Sequence, residues 1–202
     1  MPITVVLVDD QALVRGALAA LLDLETDLSV IGEASTGAEA VAAARSRAPD
    51  VVLMDVEMPR MDGIEATAAL RAAGSAARVL IVTTFGRPGY LRRALQAGAS
   101  GFVVKDTPAR LLADAVRRVH AGMRVVDPAL ATDSLLAGES PLTPREADVL
   151  RAVRAGGSIA DIARVVHLSE GTVRNHLSNA IGKTNARNRA DAARIADDNG
   201  WL

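Results

Sequence analysis

The class of fold follows from the stretch Leu53-Met54-Asp55-Val56-Glu57-Met58-Pro59, in which an apolar run ends on a carboxylate. The residues from Val51 to Met54 are all apolar, and the loop after them contains a proline and a glycine. A short apolar run with such ends predicts a strand buried on both faces, as in a parallel sheet. Asp55 would then lie at the carboxyl end of the strand, where open α/β sheets bind their ligands.

Composition restricts the class of protein. The chain has 202 residues, of which 50 % are hydrophobic and 23 % charged, enough for one large or two smaller globular domains. It contains no cysteine, so disulfides, thiolate catalysis and cysteine-bound metals are excluded. The start, Met1-Pro2-Ile3-Thr4, has no signal-peptide core, and no apolar run approaches the roughly 20 residues that cross a bilayer. We expect a cytoplasmic protein with no membrane partner.

Charge is unevenly distributed, although the formal net charge is only −1. Residues 1–125 carry 14 basic and 14 acidic side chains, whereas residues 140–202 carry nine basic and seven acidic ones. Residues 172–189 contain no acid and four basic side chains, at positions 174, 183, 187 and 189. A basic segment of this kind indicates contact with nucleic acid near the C-terminal end.

Residues 1–122 alternate between strand and helix signals five times. The five apolar runs that predict strands begin at Ile3, Leu28, Val51, Val79 and Gly101. A helical pattern follows each run, and several helices begin with capping motifs, namely Thr36-Gly37-Ala38-Glu39, Asp62-Gly63-Ile64-Glu65 and Thr107-Pro108. The alternation predicts an α/β domain, with a parallel sheet covered by helices on both faces.

Residues 123–140 interrupt the alternation and are interpreted as a linker with one short helical piece, Ala129 to Leu136. Residues 141–202 are predicted to form an all-α domain of four helices. The helix starts are predicted at Thr143-Pro144-Arg145-Glu146, Ser158, Ser169 and Asn188, with a left-handed stop at Asn185. The tight turn His167-Leu168-Ser169 joins two of these helices into a helix-turn-helix unit.

The strand ends bring charged and hydroxyl side chains to one edge of the predicted sheet. These side chains are Asp9 and Asp10, Asp55, Thr83 and Thr84, and Lys105. Clustered carboxylates repel one another unless a proton or a cation neutralises them, and Mg²⁺ prefers such oxygen ligands. Asp55 is therefore a candidate nucleophile for a phosphoryl group, whose oxygens Lys105 and Thr83 would bind. Thr84 is interpreted first as a solvated strand-end residue and second as a further phosphoryl ligand.

The motifs around these residues resemble the receiver domain of two-component response regulators. They are Val8-Asp9-Asp10, Met54-Asp55-Val56-Glu57-Met58-Pro59 with Asp62-Gly63, Val82-Thr83-Thr84, and Gly98-Ala99-Ser100-Gly101-Phe102-Val103-Val104-Lys105. The resemblance covers about residues 1–122 and implies a flavodoxin-like (βα)5 fold with strand order 2-1-3-4-5. It also implies that a sensor histidine kinase phosphorylates Asp55.

The same resemblance implies roles for the neighbouring residues. Asp10, Asp55 and the main-chain carbonyl of Glu57 would hold Mg²⁺, and Asp9 would assist them. Thr83 and Phe102 would form a switch pair, in which the hydroxyl moves toward the phosphoryl group and the ring turns inward behind it. No enzymatic activity is expected beyond slow autodephosphorylation.

Residues 141–202 resemble the LuxR-type (NarL/FixJ) DNA-binding domain through Leu142-Thr143-Pro144-Arg145-Glu146, Ile162-Ala163 and the run from Leu168 to His176. The third helix, residues 169–183, would be the recognition helix in the major groove of double-stranded DNA. One face of it, with Val173, Leu177 and Ile181, is predicted to be core. The remaining residues predicted to contact DNA are Arg174, Asn175 and Ser178 at base edges, Thr172, His176 and Lys183 at phosphates, and Ser169 at the helix start.

Such modules usually act as dimers on paired half-sites, so a homodimer is expected on activation. The resemblance implies that the last helix, Asn188 to Asn199, forms the dimer surface, and its alanine-rich face would allow close approach.

A phosphotransferase or phosphatase that uses Asp55 is a second hypothesis, but no insertion between the strands is long enough to enclose a small substrate. A phosphate-independent DNA-binding protein is a third hypothesis, which the intact acidic set disfavours.

Overall fold

The computed structural model describes residues 1–84, 86–136 and 140–202. The chain divides into two compact units. We call Met1–Gly86 with Tyr90–Ala131 the α/β unit, and Arg87–Gly89 with Thr132–Leu202 the helical unit. Among the described residues, no helix is long and apolar enough to cross a membrane.

Strands and helices alternate through the first two thirds of the chain, and only helices follow. The alternating elements are β1 Ile3–Val8, α1 Ala12–Leu22, β2 Leu28–Ala34, α2 Gly37–Arg47, β3 Val51–Met54, α3 Gly63–Ala72, β4 Arg78–Thr83, α4 Pro88–Gln96, β5 Gly101–Val104, α5 Ala109–His120, β6 Val125–Val126 and α6 Pro128–Leu136. The last four helices are α7 Pro144–Arg154, α8 Ile159–Val166, α9 Glu170–Thr184 and α10 Arg189–Asp198.

The strands form one parallel sheet in the order β2-β1-β3-β4-β5-β6. The first five strands have the order that the family resemblance implied, so the flavodoxin-like prediction is confirmed. All strands run the same way, so their carboxyl ends share one edge. β1 and β3 are neighbours in the sheet, and the residues that follow them are therefore adjacent.

Each face of the sheet has its own hydrophobic core, because side chains alternate along every strand. Val6 of β1 points into the core beneath α2, α3 and α4, whereas Val5 points into the core beneath α1 and α5. In β3, Val52 likewise points into the core beneath α2, α3 and α4, and Val51 points into the core beneath α1 and α5. Burial on both faces explains why the strands are continuous apolar runs in the sequence.

The sixth strand lies in the segment that the sequence analysis interpreted as a linker. Val125 and Val126 pair with Gly101 and Phe102 of β5. Leu130 of α6 is only 9 % exposed and packs in the core beneath α2, α3 and α4. Two residues are too few to give a strand period, which is why the pattern missed β6. The limits 1–122, 123–140 and 141–202 remain predictions for the domains and linker.

The four helices α7–α10 enclose a separate core, which confirms the predicted all-α region. Val173 and Leu177 of α9 are buried in it, and Ile181 is half-buried at its margin. Trp201, after the end of α10, also packs against this core. The face of α9 opposite these residues is exposed, as an amphipathic helix requires.

The alanine-rich face of α10 is not available as a dimer surface, and that expectation was wrong. Ala192, Ala193 and Ala196 are 0, 2 and 0 % exposed, because they pack in the core of the helical unit. Small side chains let α10 lie close to its own neighbours. The exposed face of this helix carries Ala190 and Arg194 instead.

Most predicted helix caps are present. The side chains of Asp62, Thr143 and Ser158 each accept a hydrogen bond in a reciprocal capping box, and Ser169 and Asn188 cap α9 and α10. Asn185 has the predicted left-handed backbone, with φ 52°. One prediction was wrong: the cap residue of α5 is Pro108 rather than Thr107, and its side chain makes no capping hydrogen bond.

Candidate functional site

Three acidic side chains meet at the carboxyl edge of the sheet, as predicted. Asp9 and Asp10 follow β1 and Asp55 follows β3, and oxygens of the three carboxylates lie within 4.8 Å of one another. Asp9 and Asp55 are buried, with 2 and 3 % of their surface exposed, whereas Asp10 is exposed. We call these three residues the acidic cluster. It is open to solvent on the side of Asp10.

Lys105, directly after β5, extends into the acidic cluster. Its Nζ lies 2.7 Å from Asp9 Oδ2 and 3.0 Å from Asp55 Oδ2. One ammonium thus contacts both buried carboxylates and offsets part of their mutual repulsion. Three ionised carboxylates and one ammonium would leave two negative charges in excess.

Main-chain contacts fix the position of Asp55. Its N–H donates to the Val8 carbonyl at 2.9 Å, and its own Oδ1 accepts from the Val56 N–H at 2.8 Å. Gly63, the first residue of α3, lies so close that an added Cβ would overlap the Asp55 carbonyl oxygen. Only a residue without a side chain allows α3 to begin there.

Burial and charge determine the pKa values at this edge. Burial and the nearby charge of Asp9 raise the pKa of the Asp55 carboxyl, and they outweigh the hydrogen bond and charge of Lys105. Burial alone would lower the pKa of the Lys105 ammonium. Hydrogen bonds and charges of Asp9 and Asp55 outweigh that effect and raise the pKa of Lys105. Lys105 therefore stays charged at neutral pH.

The donor set of the acidic cluster suits Mg²⁺. It offers three hard carboxylate oxygens close together, and one of the three residues is exposed enough to admit a hydrated ion. A divalent cation would also balance the two excess negative charges. The residues present therefore fit the metal that the sequence analysis expected, with Asp9, Asp10 and Asp55 as side-chain donors.

The hydroxyl and aromatic residues predicted beside the acidic cluster have different surroundings. Thr83, the last residue of β4, is fully buried, and its carbonyl accepts a hydrogen bond from the Lys105 N–H at 2.8 Å. Thr84 is exposed, consistent with its first interpretation as a solvated residue. Phe102 of β5 is fully buried in the core beneath α2, α3 and α4, so this structure has the ring inside.

Tyr90 is a residue near the acidic cluster that the sequence analysis did not include. Its hydroxyl donates to Glu57 Oε1 at 3.2 Å, which joins the start of α4 to the loop after Asp55. The Glu57 side chain is thereby held by α4, while its main-chain carbonyl is the group predicted to bind metal. No sequence pattern links residues 33 positions apart, so only the fold reveals this contact.

The second candidate site is the outer face of α9. Arg174, Asn175 and Ser178 are exposed together, as predicted for base contacts, and Thr172 is exposed at the start of the helix. Asn179, which was not predicted, is exposed on the same helix one turn after Asn175. Ser169 Oγ accepts the Thr172 N–H at 3.2 Å and is 2.8 Å from the Thr172 hydroxyl, so Ser169 has a structural role as cap.

Two of the predicted phosphate contacts are less exposed. His176 is half-buried, which agrees with a partly structural role. Lys183 Nζ donates to Glu146 Oε2 at 2.7 Å, and this joins α9 to the capping box of α7. The Lys183 side chain is 37 % exposed, so it keeps a solvent-facing surface beside that ion pair.

Two family models match the chain. Residues 5–117 match the response regulator receiver domain, and residues 140–196 match the bacterial regulatory proteins of the luxR family. The chain belongs to the LuxR-type response regulators. The regulator therefore has a receiver domain and a LuxR-type DNA-binding domain, and its family consists of transcriptional regulators rather than classical enzymes.

Full-length relatives support this membership. The regulator is 46 % identical over 194 residues to the transcriptional regulatory protein YvfU of Bacillus subtilis (strain 168), covering 96 % of both chains. It is 41 % identical over 200 residues to the transcriptional regulatory protein DesR of the same strain, covering 99 % of both.

Solved structures agree with the fold. The response regulator ChrA of a heme-sensing two-component system is 34 % identical with a TM-score of 0.61, covering 100 % of the regulator and 99 % of ChrA. A structure of two RcsB dimers bound to two parallel DNAs has a TM-score of 0.72 and covers 100 % of both chains. At 20 % identity, the RcsB match supports the fold alone.

Proposed function

We propose that a sensor histidine kinase phosphorylates this regulator on Asp55, and that the phosphorylated form dimerises and controls transcription from specific DNA sites. The observation that carries the proposal is the acidic cluster with Lys105 at 2.7 and 3.0 Å from its buried members. Such a cluster is costly to bury for structure alone, because like charges repel in a low-dielectric site. A role in binding a phosphoryl group and a cation would explain why the chain buries these carboxylates together.

The chemistry assigned to Asp55 is nucleophilic. A carboxylate oxygen of Asp55 attacks the phosphorus of a phosphohistidine, the phosphorus–nitrogen bond breaks, and the electron pair returns to the imidazole, which takes up a proton from solvent. Asp10, Asp55 and the Glu57 carbonyl would hold Mg²⁺, Asp9 would assist them, and the ion would neutralise charge on the phosphoryl oxygens. Lys105 would exchange its contact with Asp55 for one with a phosphoryl oxygen. Slow hydrolysis of the aspartyl phosphate is the one catalytic activity proposed.

The switch is assigned to Thr83 and Phe102. The buried Thr83 hydroxyl would donate to the phosphoryl group, and the space that it leaves would stabilise the Phe102 ring in the inward position that it already has in this structure. Phe102 belongs to β5 and packs beneath α4 among other helices, so the surface formed by α4, β5 and α5 is proposed to differ between the two states. Thr84 is proposed only as an outer ligand because it is exposed.

The output is assigned to α9. Arg174, Asn175 and Ser178 would contact base edges in the major groove. The sugar–phosphate backbone of the DNA would be contacted by Thr172, His176, Lys183 and Ser169. One short helix binds weakly, so two copies on paired half-sites are proposed, with the charged outer face of α10 as one candidate surface. This activity is assigned to the cytoplasm, where the DNA and the kinase domain would both be accessible.

Phosphoryl transfer and its consequence can be tested together. The full chain is treated with acetyl phosphate, or with beryllofluoride, in the presence of Mg²⁺, and intact mass, oligomeric state and binding to duplex DNA are measured. We expect acetyl phosphate to add one phosphoryl group to wild type, and either reagent to make wild type dimerise and bind DNA more tightly, whereas Asp55→Ala should show none of these changes. Asp62→Asn is the matched control, since Asp62 is the cap of α3.

The same experiment can contradict the proposal. Identical oligomeric states and DNA affinities for wild type and Asp55→Ala would show that Asp55 does not control the output. Removal of Mg²⁺ by a chelator should abolish labelling of wild type. Labelling that persists without the metal would remove Mg²⁺ from the proposal.

A further inference from the structure

Glu170 is an acidic residue in a place where DNA binding alone would disfavour one. It is the first residue of α9, and residues 171–190 contain no other acid. Its side chain is 49 % exposed on the helix that carries the proposed base contacts. Negative charge near phosphates weakens binding to any DNA sequence. A second role of Glu170 that offsets this loss of DNA affinity would explain an acid at this position.

The structure provides that role through Arg174. Glu170 Oε2 accepts a hydrogen bond from Arg174 Nη2 at 3.0 Å, across one turn of α9. A guanidinium has five N–H donors, so this contact leaves several free to reach a guanine edge. The Arg174 side chain is otherwise 61 % exposed and would lose much rotamer freedom on binding. An ion pair formed beforehand reduces that loss.

We propose that Glu170 is a positioning residue that holds Arg174 for base reading and so raises the ratio of specific to general DNA affinity. The proposal rests on the proposed function, because it requires α9 to enter the major groove. The carboxylate acts in two ways. It restricts the orientation of Arg174, and its pairing with the guanidinium reduces the attraction of Arg174 for the phosphates of DNA that offers no matching base.

A simpler role is helix stabilisation, since an acid in the first turn interacts favourably with the helix dipole. Two substitutions separate the roles. Glu170→Asp keeps the charge at the helix start, but its side chain is one methylene shorter and holds Arg174 poorly. Glu170→Gln keeps the length and removes the charge.

Asp148 provides a matched control for net charge. It is an acid of α7 in the same unit, its side chain is 44 % exposed, and it pairs with Arg151 at 2.8 Å. Asp148→Asn therefore removes the same charge as Glu170→Gln and breaks a similar surface ion pair, without touching Arg174.

The experiment uses the full chain with Mg²⁺ and beryllofluoride. A library of randomised DNA duplexes is bound and sequenced, and dissociation constants are measured for the best selected duplex and for a scrambled duplex. We expect Glu170→Gln and Glu170→Asp to lower the specific-to-general ratio about 2- to 10-fold, the cost of ordering one long side chain. Asp148→Asn should leave the ratio unchanged. In an Arg174→Ala background, the Glu170 substitutions should have no further effect on the ratio.

Each contrary result has a separate meaning. An unchanged ratio in both Glu170 variants overturns the inference, and a loss of helical content without a change in ratio assigns Glu170 to helix stabilisation alone. A drop that persists in the Arg174→Ala background also overturns it, because the effect would not pass through Arg174. If wild type selects no sequence, the proposed function itself fails.

Discussion

Gly63 packs directly against the main chain of Asp55, so it affects both stability and the position of the proposed phosphorylation site. An alanine methyl there would overlap the Asp55 carbonyl oxygen, so the loop that carries Asp55 would have to move. We expect Gly63→Ala to lower the free energy of unfolding by about 1–3 kcal/mol, the usual cost of overpacking. Labelling of Asp55 by acetyl phosphate should fall as well. Thermal or urea unfolding and intact mass measure the two effects.

Gly16 gives the control for this substitution. It lies inside α1, and an added Cβ would meet no other atom within 4 Å. Gly16→Ala should raise the free energy of unfolding by about 0.5–1 kcal/mol, because alanine is the better helix former. Normal labelling in Gly63→Ala would contradict the view that Gly63 positions Asp55.

Individual residues differ in how far the sequence could place them. Asp9, Asp55 and Lys105 each follow an apolar strand, so the parallel sheet alone brings them to one edge. The double contact of Lys105 and the hydrogen bond of Tyr90 to Glu57 depend on side-chain directions across distant segments. Sequence patterns contain no information about these side-chain directions, so the contacts of Lys105 and Tyr90 could be found only in the structure.

At the level of elements, local signals were the most informative. Capping residues specify where α3, α7, α8, α9 and α10 begin, because each side chain satisfies N–H groups of its own first turn. The wrong prediction that the alanine-rich face of α10 forms a dimer surface arose because the local signal was ambiguous. Alanine suits both a helix–helix core and a close dimer contact, and only the packing of α10 within its unit distinguishes them.

Glu146 makes the stability of the helical elements depend on pH. Burial of its side chain raises its pKa, but hydrogen bonds from Lys183 and Thr143 outweigh burial, and the pKa lies below the usual 4.5. The folded state therefore favours the ionised form. The stabilisation is complete above the usual pKa and is lost as the pH falls through the lowered value.

Replacement of this carboxylate should remove that dependence. We expect Glu146→Gln to lower the free energy of unfolding at pH 7 by about 1–3 kcal/mol, since hydrogen bonds to a charged group are lost. The difference from wild type should begin to close as the pH falls below the usual pKa of 4.5 and should disappear below the lowered pKa. Hydrogen exchange of α7 and α9 peptides across the pH range measures this. Asp148→Asn on the same helix should show little effect, and a constant difference at all pH values would refute the assignment to Glu146.

At the scale of the whole molecule, the chain is two units with separate cores. The alternation of strands and helices followed by helices alone was enough to predict both. The segment between them was harder, because β6 has two residues and α6 lacks a strong apolar face in the sequence. Their packing depends on a sheet edge that exists only after β5 has formed.

Leu130 tests whether this segment stabilises the α/β unit. The side chain is 9 % exposed and packs in the core beneath α2, α3 and α4. Leu130→Ala in the full chain should lower the free energy of unfolding by about 2–5 kcal/mol and speed hydrogen exchange of β5 and β6. Leu111→Ala, at a side chain 59 % exposed on α5, should change stability by less than about 0.5 kcal/mol. Equal effects of the two substitutions would mean that Leu130 adds nothing to the core.

Trp201 is the only tryptophan of the chain, and it packs against the core of the helical unit. The α/β unit, which carries Asp55, therefore contributes no indole emission. The protein thus has an intrinsic fluorophore on one unit and its proposed chemical input on the other. A shift in tryptophan emission when beryllofluoride is added would report, without any attached dye, that a change at Asp55 has reached the output unit.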